Sequence, residues 1–200
     1  DHPLMPCSEF LAYRIAEACK IAVPYSAILA LDNGEFAFGS RIEGGVTSIG
    51  NLPEGVSRFA AFDECADQIS TILALDLFLA NTDRHPGNLL FRRNLSGRLS
   101  AMSIDYGRGL FVSDFPDGPL PLRGCNTSTT LNLLKQTQTF RAPVAVFAIS
   151  AVQEIKVAHI SRWVSEMPHE WLPEDRVDAL LAWWSSDKLP ARIDAVLKCL

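Results

Sequence analysis

Asn81-Thr82-Asp83-Arg84-His85-Pro86-Gly87-Asn88 is the most informative stretch of this 200-residue chain. It is polar throughout, and its proline and glycine break any regular element. Before it runs Ile69-Ser70-Thr71-Ile72-Leu73-Ala74-Leu75-Asp76-Leu77-Phe78-Leu79, apolar enough for a central helix buried on most faces. After it come a predicted strand from Leu89 to Arg92, a turn at Asn94-Leu95-Ser96-Gly97 and a second strand from Leu99 to Ile104. The second strand leads into Asp105-Tyr106-Gly107. Two polar loops, each carrying an aspartate, thus flank one hairpin behind a buried helix.

Asp83 and Asn88 stand five positions apart, the spacing at which protein kinases set a catalytic aspartate and a magnesium-binding asparagine. One end of such a loop presents a base to a hydroxyl while the other reaches the metal. Asp105-Tyr106-Gly107 falls where kinases carry Asp-Phe-Gly, whose carboxylate chelates magnesium bridging the nucleotide phosphates. Phosphoryl transfer needs little more, because it is mostly positioning and charge neutralisation. Each motif alone has an ordinary explanation: Asp-x-x-x-x-Asn arises by chance in surface loops, and Asp-x-Gly after a strand is often only a turn. Their joint order makes coincidence the weaker account.

Upstream, Leu11, Ile15, Ala18, Cys19 and Ala22 recur at helical spacing, which predicts a helix from Ser8 to Val23 with Ser8 as cap, Glu9 in the first turn and Pro24 as terminator. Tyr25–Leu31 and Glu35–Ile42 read as strands joined by the turn Asp32-Asn33-Gly34, with Asn-Gly supplying the positive backbone angles of a tight hairpin. Residues 44–55 are glycine-rich and read as a loop, and the helical stretch around the apolar run begins at Phe59. Downstream, prolines, glycines and the Asn126–Thr130 run predict an extended loop with short pieces of structure over 112–141. Helices follow over 144–164, 173–185 and 190–200. Trp163, Trp171, Trp183 and Trp184 lie in helical or capping stretches and read as packing residues.

Composition narrows the class. With 48% hydrophobic and 20% charged residues, the chain can bury a real core. A net charge of -5 argues against a broad phosphate-neutralising surface, so there is no direct nucleic-acid signal. Five scattered cysteines, Cys7, Cys19, Cys65, Cys125 and Cys199, lack the spacing of a zinc or redox pair and suit free thiols in the cytoplasm. His159 and His169 have no third ligand nearby.

The order Asn-Thr-Asp-Arg-His-Pro-Gly-Asn-Leu-Leu, a strand pair, then Ile-Asp-Tyr-Gly resembles the HipA-like kinases and, more distantly, the phosphoinositide kinases. The resemblance covers most of residues 8–110, is most specific over 81–107, and fades after Val112. It implies an α+β, protein-kinase-like fold of HipA type, with a partial N-lobe over 1–44, a hinge at 40–44 and a mostly helical C-lobe over 45–200. It further implies ATP- and Mg2+-dependent phosphorylation of a protein serine or threonine, with a regulatory protein partner.

Residue by residue, the resemblance makes Asp83 the catalytic base and Asn88 and Asp105 the magnesium ligands. His85 would support the loop or the phosphates, and a purely structural histidine fits equally. Arg84 would contact substrate or, more simply, pair with a nearby acid. Glu9 resembles the helix glutamate that pairs with a phosphate-contacting lysine, although the helix dipole would also favour it there. Ser40, Ile42 and Glu43 fall at the hinge that meets the adenine, with Glu43 in reach of the ribose; an acid at a strand end is also commonly just solvated.

One departure stands out: no lysine precedes Lys20 and no glycine precedes Gly34, so the kinase lysine strand and phosphate loop have no counterpart here. The expectation is a chain lacking the start of its nucleotide-binding lobe. The alternatives are a catalytically silent binding module, or a lipid or small-molecule kinase, the last disfavoured by the absence of a basic membrane-facing cluster.

Overall fold

The computed structural model describes residues 2–52 and 54–200, so the expected start at Asp1 lies outside the described residues. Helix α1 spans Met5–Ala18 with Pro6 in its first turn, where a missing N–H costs nothing. The expected start is thereby corrected: Ser8 is buried inside the helix and caps nothing, and Glu9 lies beyond the first turn. Nor does Pro24 end the helix. Lys20 turns left-handed at φ +59°, and Ile21 N donates to Ala16 O at 2.9 Å while Lys20 N donates to Glu17 O at 3.0 Å. These are the paired bonds of a Schellman cap.

Strands β1 (Ser26–Ala30) and β2 (Phe36–Ser40) form an antiparallel hairpin in register Ser26↔Ser40 to Ala30↔Phe36. Of the two expected turn residues only Gly34 takes a positive φ, +84°, while Asn33 Oδ1 accepts from Glu35 N at 3.0 Å. The connection is therefore the three-residue glycine-bulge type over residues 32–34, closed by Leu31 N on Glu35 O at 2.8 Å. Tyr13 on α1 meets Phe38 on β2 edge-on at 5.0 Å, which fixes the hairpin to the helix.

The glycine-rich stretch contains a strand that local composition hides. β3 (Val46–Ser48) pairs antiparallel with β4 (Leu89–Arg93), which pairs with β5 (Leu99–Ser103), giving the order β3-β4-β5. The long helix expected from Phe59 is two, α2 (Arg58–Glu64) and α3 (Ala66–Phe78), broken at Cys65. Helix α3 is the centre of the core: Ile72, Leu73, Ala74, Leu75, Leu77 and Phe78 are fully buried, and α4, α5, α8 and β5 pack around it.

The expected loop over 112–141 holds helix α4 (Asn126–Gln136), capped by Cys125 and Ser128. The stretch 144–164 is not one helix but α5 (Ala142–Ala151) and α6 (Val157–Glu166), bent by 80°. Helices α7 (Glu174–Trp184) and α8 (Lys188–Leu197) complete the chain. Trp163, Trp171, Trp183 and Trp184 lie in the core. Among the described residues no single helix is long and apolar enough to cross a membrane.

Candidate active site

The polar loop begins where α3 stops. Ala80 takes φ +56°, and Asn81 N returns to Asp76 O at 2.8 Å, turning the chain sharply out of the core. Asn81 Nδ2 also donates to Asp76 Oδ1 at 2.7 Å. Asp76 itself receives Arg84, whose Nε lies 2.7 Å from Oδ2 and whose Nη2 lies 3.1 Å from Oδ1. Burial works against charge on Arg84, but the Asp76 carboxylate beside it outweighs burial and raises its pKa, so the guanidinium stays protonated.

Arg84 does more than pair. Its Nη1 donates to the carbonyls of Asn88 at 2.7 Å and Ile104 at 2.5 Å, and Nη2 reaches that of Asp105 at 3.5 Å. One buried side chain thus ties the loop after α3 to the loop after β5. Tyr106, also buried, lies under the guanidinium with its ring centre 4.8 Å from Cζ.

Asp83 is partly exposed, and its Oδ1 accepts from Asn126 Nδ2 at 2.5 Å. Asn126 opens α4, and the next turn of that helix clamps the loop: Thr127 Oγ1 donates to Asn81 O and accepts from Arg84 N, while Thr130 Oγ1 donates to Arg84 O. His85 Nδ1 accepts from Gly87 N at 3.0 Å and so shapes the Pro86–Asn88 turn. These α4 contacts were missed in the sequence, although Asn126-Thr127 after Cys125 has the composition of a helix start.

Asn88 and Asp105 stand at the open end of the β4–β5 hairpin. Ile104 N donates to Asn88 O at 3.2 Å, extending the Leu89↔Ser103 register by one pair, so that Asp105 follows directly on the residue opposite Asn88. Asn88 Nδ2 is spent on Asp83 O at 3.0 Å, which leaves its Oδ1 free of hydrogen bonds among the described residues. Asp105 is exposed, holds φ +61°, and uses one carboxylate oxygen weakly on Gly107 N at 3.4 Å. A positive φ on a residue with a Cβ persists only where its surroundings over-determine it. Among the described residues no group of three or more His, Cys, Asp and Glu converges. An amide oxygen and a carboxylate nevertheless fit Mg2+, which keeps most of its waters and takes only one or two protein oxygens beside phosphates.

Glu9 faces this end of the hairpin from α1. A Cβ on Gly107 would stand 3.2 Å from its Oε1 and 3.1 Å from Met5 Cγ, so the two side chains pack closely over this glycine. Glu9 Oε2 is buried without a partner, and burial, helped by Asp105, pushes its pKa up to about 7 against hydrogen bonds from Tyr106 and Gly107. The carboxyl lines a cavity of about 880 Å³ with Met5, Phe36, Phe38 and Trp171.

The other three expected cofactor residues, Ser40, Ile42 and Glu43, lie at and beyond the end of β2. Glu43 pairs with Arg92 at 2.9 Å, Ile42 is 95% exposed, and Ser40 lies exposed at the end of β2. Among the described residues no hydrogen bond joins them to the Asp83 loop.

No family model and no curated protein matches the chain. Its fold does have a counterpart: a chain of the Shewanella oneidensis MR-1 toxin–antitoxin complex of HipA, HipB and operator DNA aligns with a TM-score of 0.56 at 16% identity. The match covers 96% of this chain and 57% of that one, so this chain spans a little over half the neighbour's length. The molecule is a mixed α+β protein of HipA-like fold.

Proposed function

We propose that this chain is the catalytic part of an ATP- and Mg2+-dependent phosphotransferase of kinase-like fold, with a protein serine or threonine as acceptor. The observation that carries the reading is the Arg84 bridge, which holds the Asp83–Asn88 loop and the Asp105 loop at one end of one hairpin. In this reading residues 1–44 are a partial N-lobe and 45–200 the C-lobe. The serine or threonine acceptor and a regulatory protein partner rest on the family resemblance.

Asp83 has one carboxylate oxygen engaged by Asn126 and the other open to receive a proton. It orients the acceptor hydroxyl and takes its proton as the hydroxyl oxygen attacks the γ-phosphorus and ADP departs. Asn88 and Asp105 would hold Mg2+, which when bound neutralises charge on the phosphates. Glu9 stands where a cationic side chain would satisfy its orphaned oxygen.

Calorimetric titration of the full-length protein with ATP tests the metal assignment. Binding should require Mg2+ and should weaken at least about tenfold in Asn88→Ala and Asp105→Ala, the loss of one charge-assisted ligand. Equal affinity in both variants would remove these residues from the nucleotide site.

A further inference from the structure

Beside Asp83 a second cavity, of about 370 Å³, opens between the loop after α3 and the strap that follows Gly107. Thr82, Arg108, Val112, Asp114, Leu120, Arg123 and Cys125 are among the residues that line it. It adjoins the candidate base on two sides: Thr82 precedes Asp83, and Cys125 precedes the Asn126 that holds the Asp83 carboxylate. Any acceptor presenting a hydroxyl to Asp83 has this cavity within reach of its flanking groups.

The strap is built, not loose. Arg192 reaches from α8 with Nη1 on the carbonyls of Pro116 at 3.0 Å and Gly118 at 2.9 Å, and Nε on Phe78 O at 2.6 Å. Gly118 packs so closely that a Cβ there would come within 2.7 Å of Ser113 O. Arg108 O accepts from Thr82 N at 3.4 Å and from the Ser113 hydroxyl, closing the cavity's inner wall.

Charge distinguishes the cavity. Arg108 and Arg123 are exposed, and among the described residues neither has a carboxylate within ion-pair distance. Two guanidinium groups against one carboxylate leave an excess of positive charge, in a protein whose net charge is -5. Four larger cavities among the described residues have balanced or negative linings. Val112, Leu120 and the prolines beside it supply an apolar floor.

We infer that this cavity is the acceptor subsite, and that it selects a protein segment in which the target serine or threonine is flanked by acidic residues and an apolar side chain. The inference rests on the phosphotransfer reading and deepens it by naming the substrate class. Guanidinium groups pair with carboxylates in a fixed fork, so the selection acts on the flanking side chains and leaves the hydroxyl to Asp83.

Peptide phosphorylation by the full-length protein tests it, using serine peptides with one shared sequence and acidic, neutral or basic flanks. The wild type should favour the acidic over the basic peptide by about tenfold or more in kcat/KM, the sum of two partly exposed ion pairs, and the preference should shrink with added salt. Arg108→Glu combined with Arg123→Glu should invert the order. Both side chains are exposed, so the variant should fold; Mg·ATP titration and thermal melting of the same preparation check this. Phosphorylation of all three peptides at equal rates, or an unchanged preference in the variant, would overturn the acidic-acceptor inference alone. No phosphorylation of any peptide by a wild type that binds Mg·ATP would overturn the protein-acceptor reading, and this inference with it.

Discussion

Arg84 Nε lies 2.7 Å from Asp76 Oδ2, with the two side chains 1% and 0% exposed. An ion pair this deep is costly to form and far costlier to break, because removing one partner strands the other's charge in the core. Its role here is positional: the guanidinium held by Asp76 has the donors left to fasten the Asn88, Ile104 and Asp105 carbonyls.

Arg84→Ala should therefore lower stability by about 3–5 kcal/mol, and Asp76→Ala by a similar amount. The double variant Asp76→Ala/Arg84→Ala should fall short of the sum of the single losses by more than about 1 kcal/mol, since neither charge is then stranded. Urea denaturation of the wild type and the three variants measures this. Strict additivity would mean that the pair is not energetically coupled.

Asn126 should matter to turnover more than to stability. It touches Asp83 through one exposed hydrogen bond, so Asn126→Ala should cost no more than about 1 kcal/mol of stability. It should lower kcat about tenfold with little change in acceptor KM, because a misaligned base acts in the transition state. A loss confined to KM would place Asn126 in binding rather than in orienting Asp83.

Glu9 makes stability pH-dependent. Its folded pKa, about 7, stands above the ordinary 4.5, so the unfolded chain releases this proton first. The destabilisation is absent below the unfolded pKa, grows as pH rises between the two values, and is complete above about 7, reaching up to about 3 kcal/mol. Glu9→Gln should thus be more stable than wild type at pH 8 and converge towards it at pH 4. Melting curves across that range decide it: parallel curves for the two proteins would contradict the burial assigned to this carboxyl.

Left-handed residues that carry side chains offer a separate test. Lys20 and Gln138 are exposed and hold φ +59° and +57° at helix ends. Replacing either by glycine should stabilise the protein by about 0.5–1 kcal/mol, the relief of a Cβ in that region. Destabilisation would show that their side chains make contacts beyond the cap.

The same residues show why parts of the fold were hard to read. Helices α1, α3 and α4 all end on a left-handed residue that is not glycine, Lys20, Ala80 and Gln138, so the usual stop signal is missing from the sequence. β3 was invisible for another reason: its partner β4 lies more than forty residues on, and no local pattern announces that pairing. By contrast the Asp83 loop, the β4–β5 hairpin and Asp105 were legible, because glycine, proline and strand alternation mark each boundary. Asp76 carried a signal that went unread: a lone acid in an apolar helix needs a buried partner, and Arg84 stands eight residues on. Asn126 offered only the composition of a helix start, since its link to Asp83 spans 43 residues.

The central claim is that Asp83 takes the acceptor's proton while Asn88 and Asp105 hold the metal end of the nucleotide. The most direct measurement is phosphate transfer from γ-labelled ATP by the full-length protein at saturating Mg2+, comparing wild type with Asp83→Asn and Asp105→Asn, two variants that keep shape and remove charge. The account predicts transfer by the wild type and a loss of at least about a hundredfold in kcat for each variant, with melting temperatures near the wild-type value. Transfer at near wild-type rate by either variant would contradict the role given to that residue, and near-normal transfer by both would contradict the account.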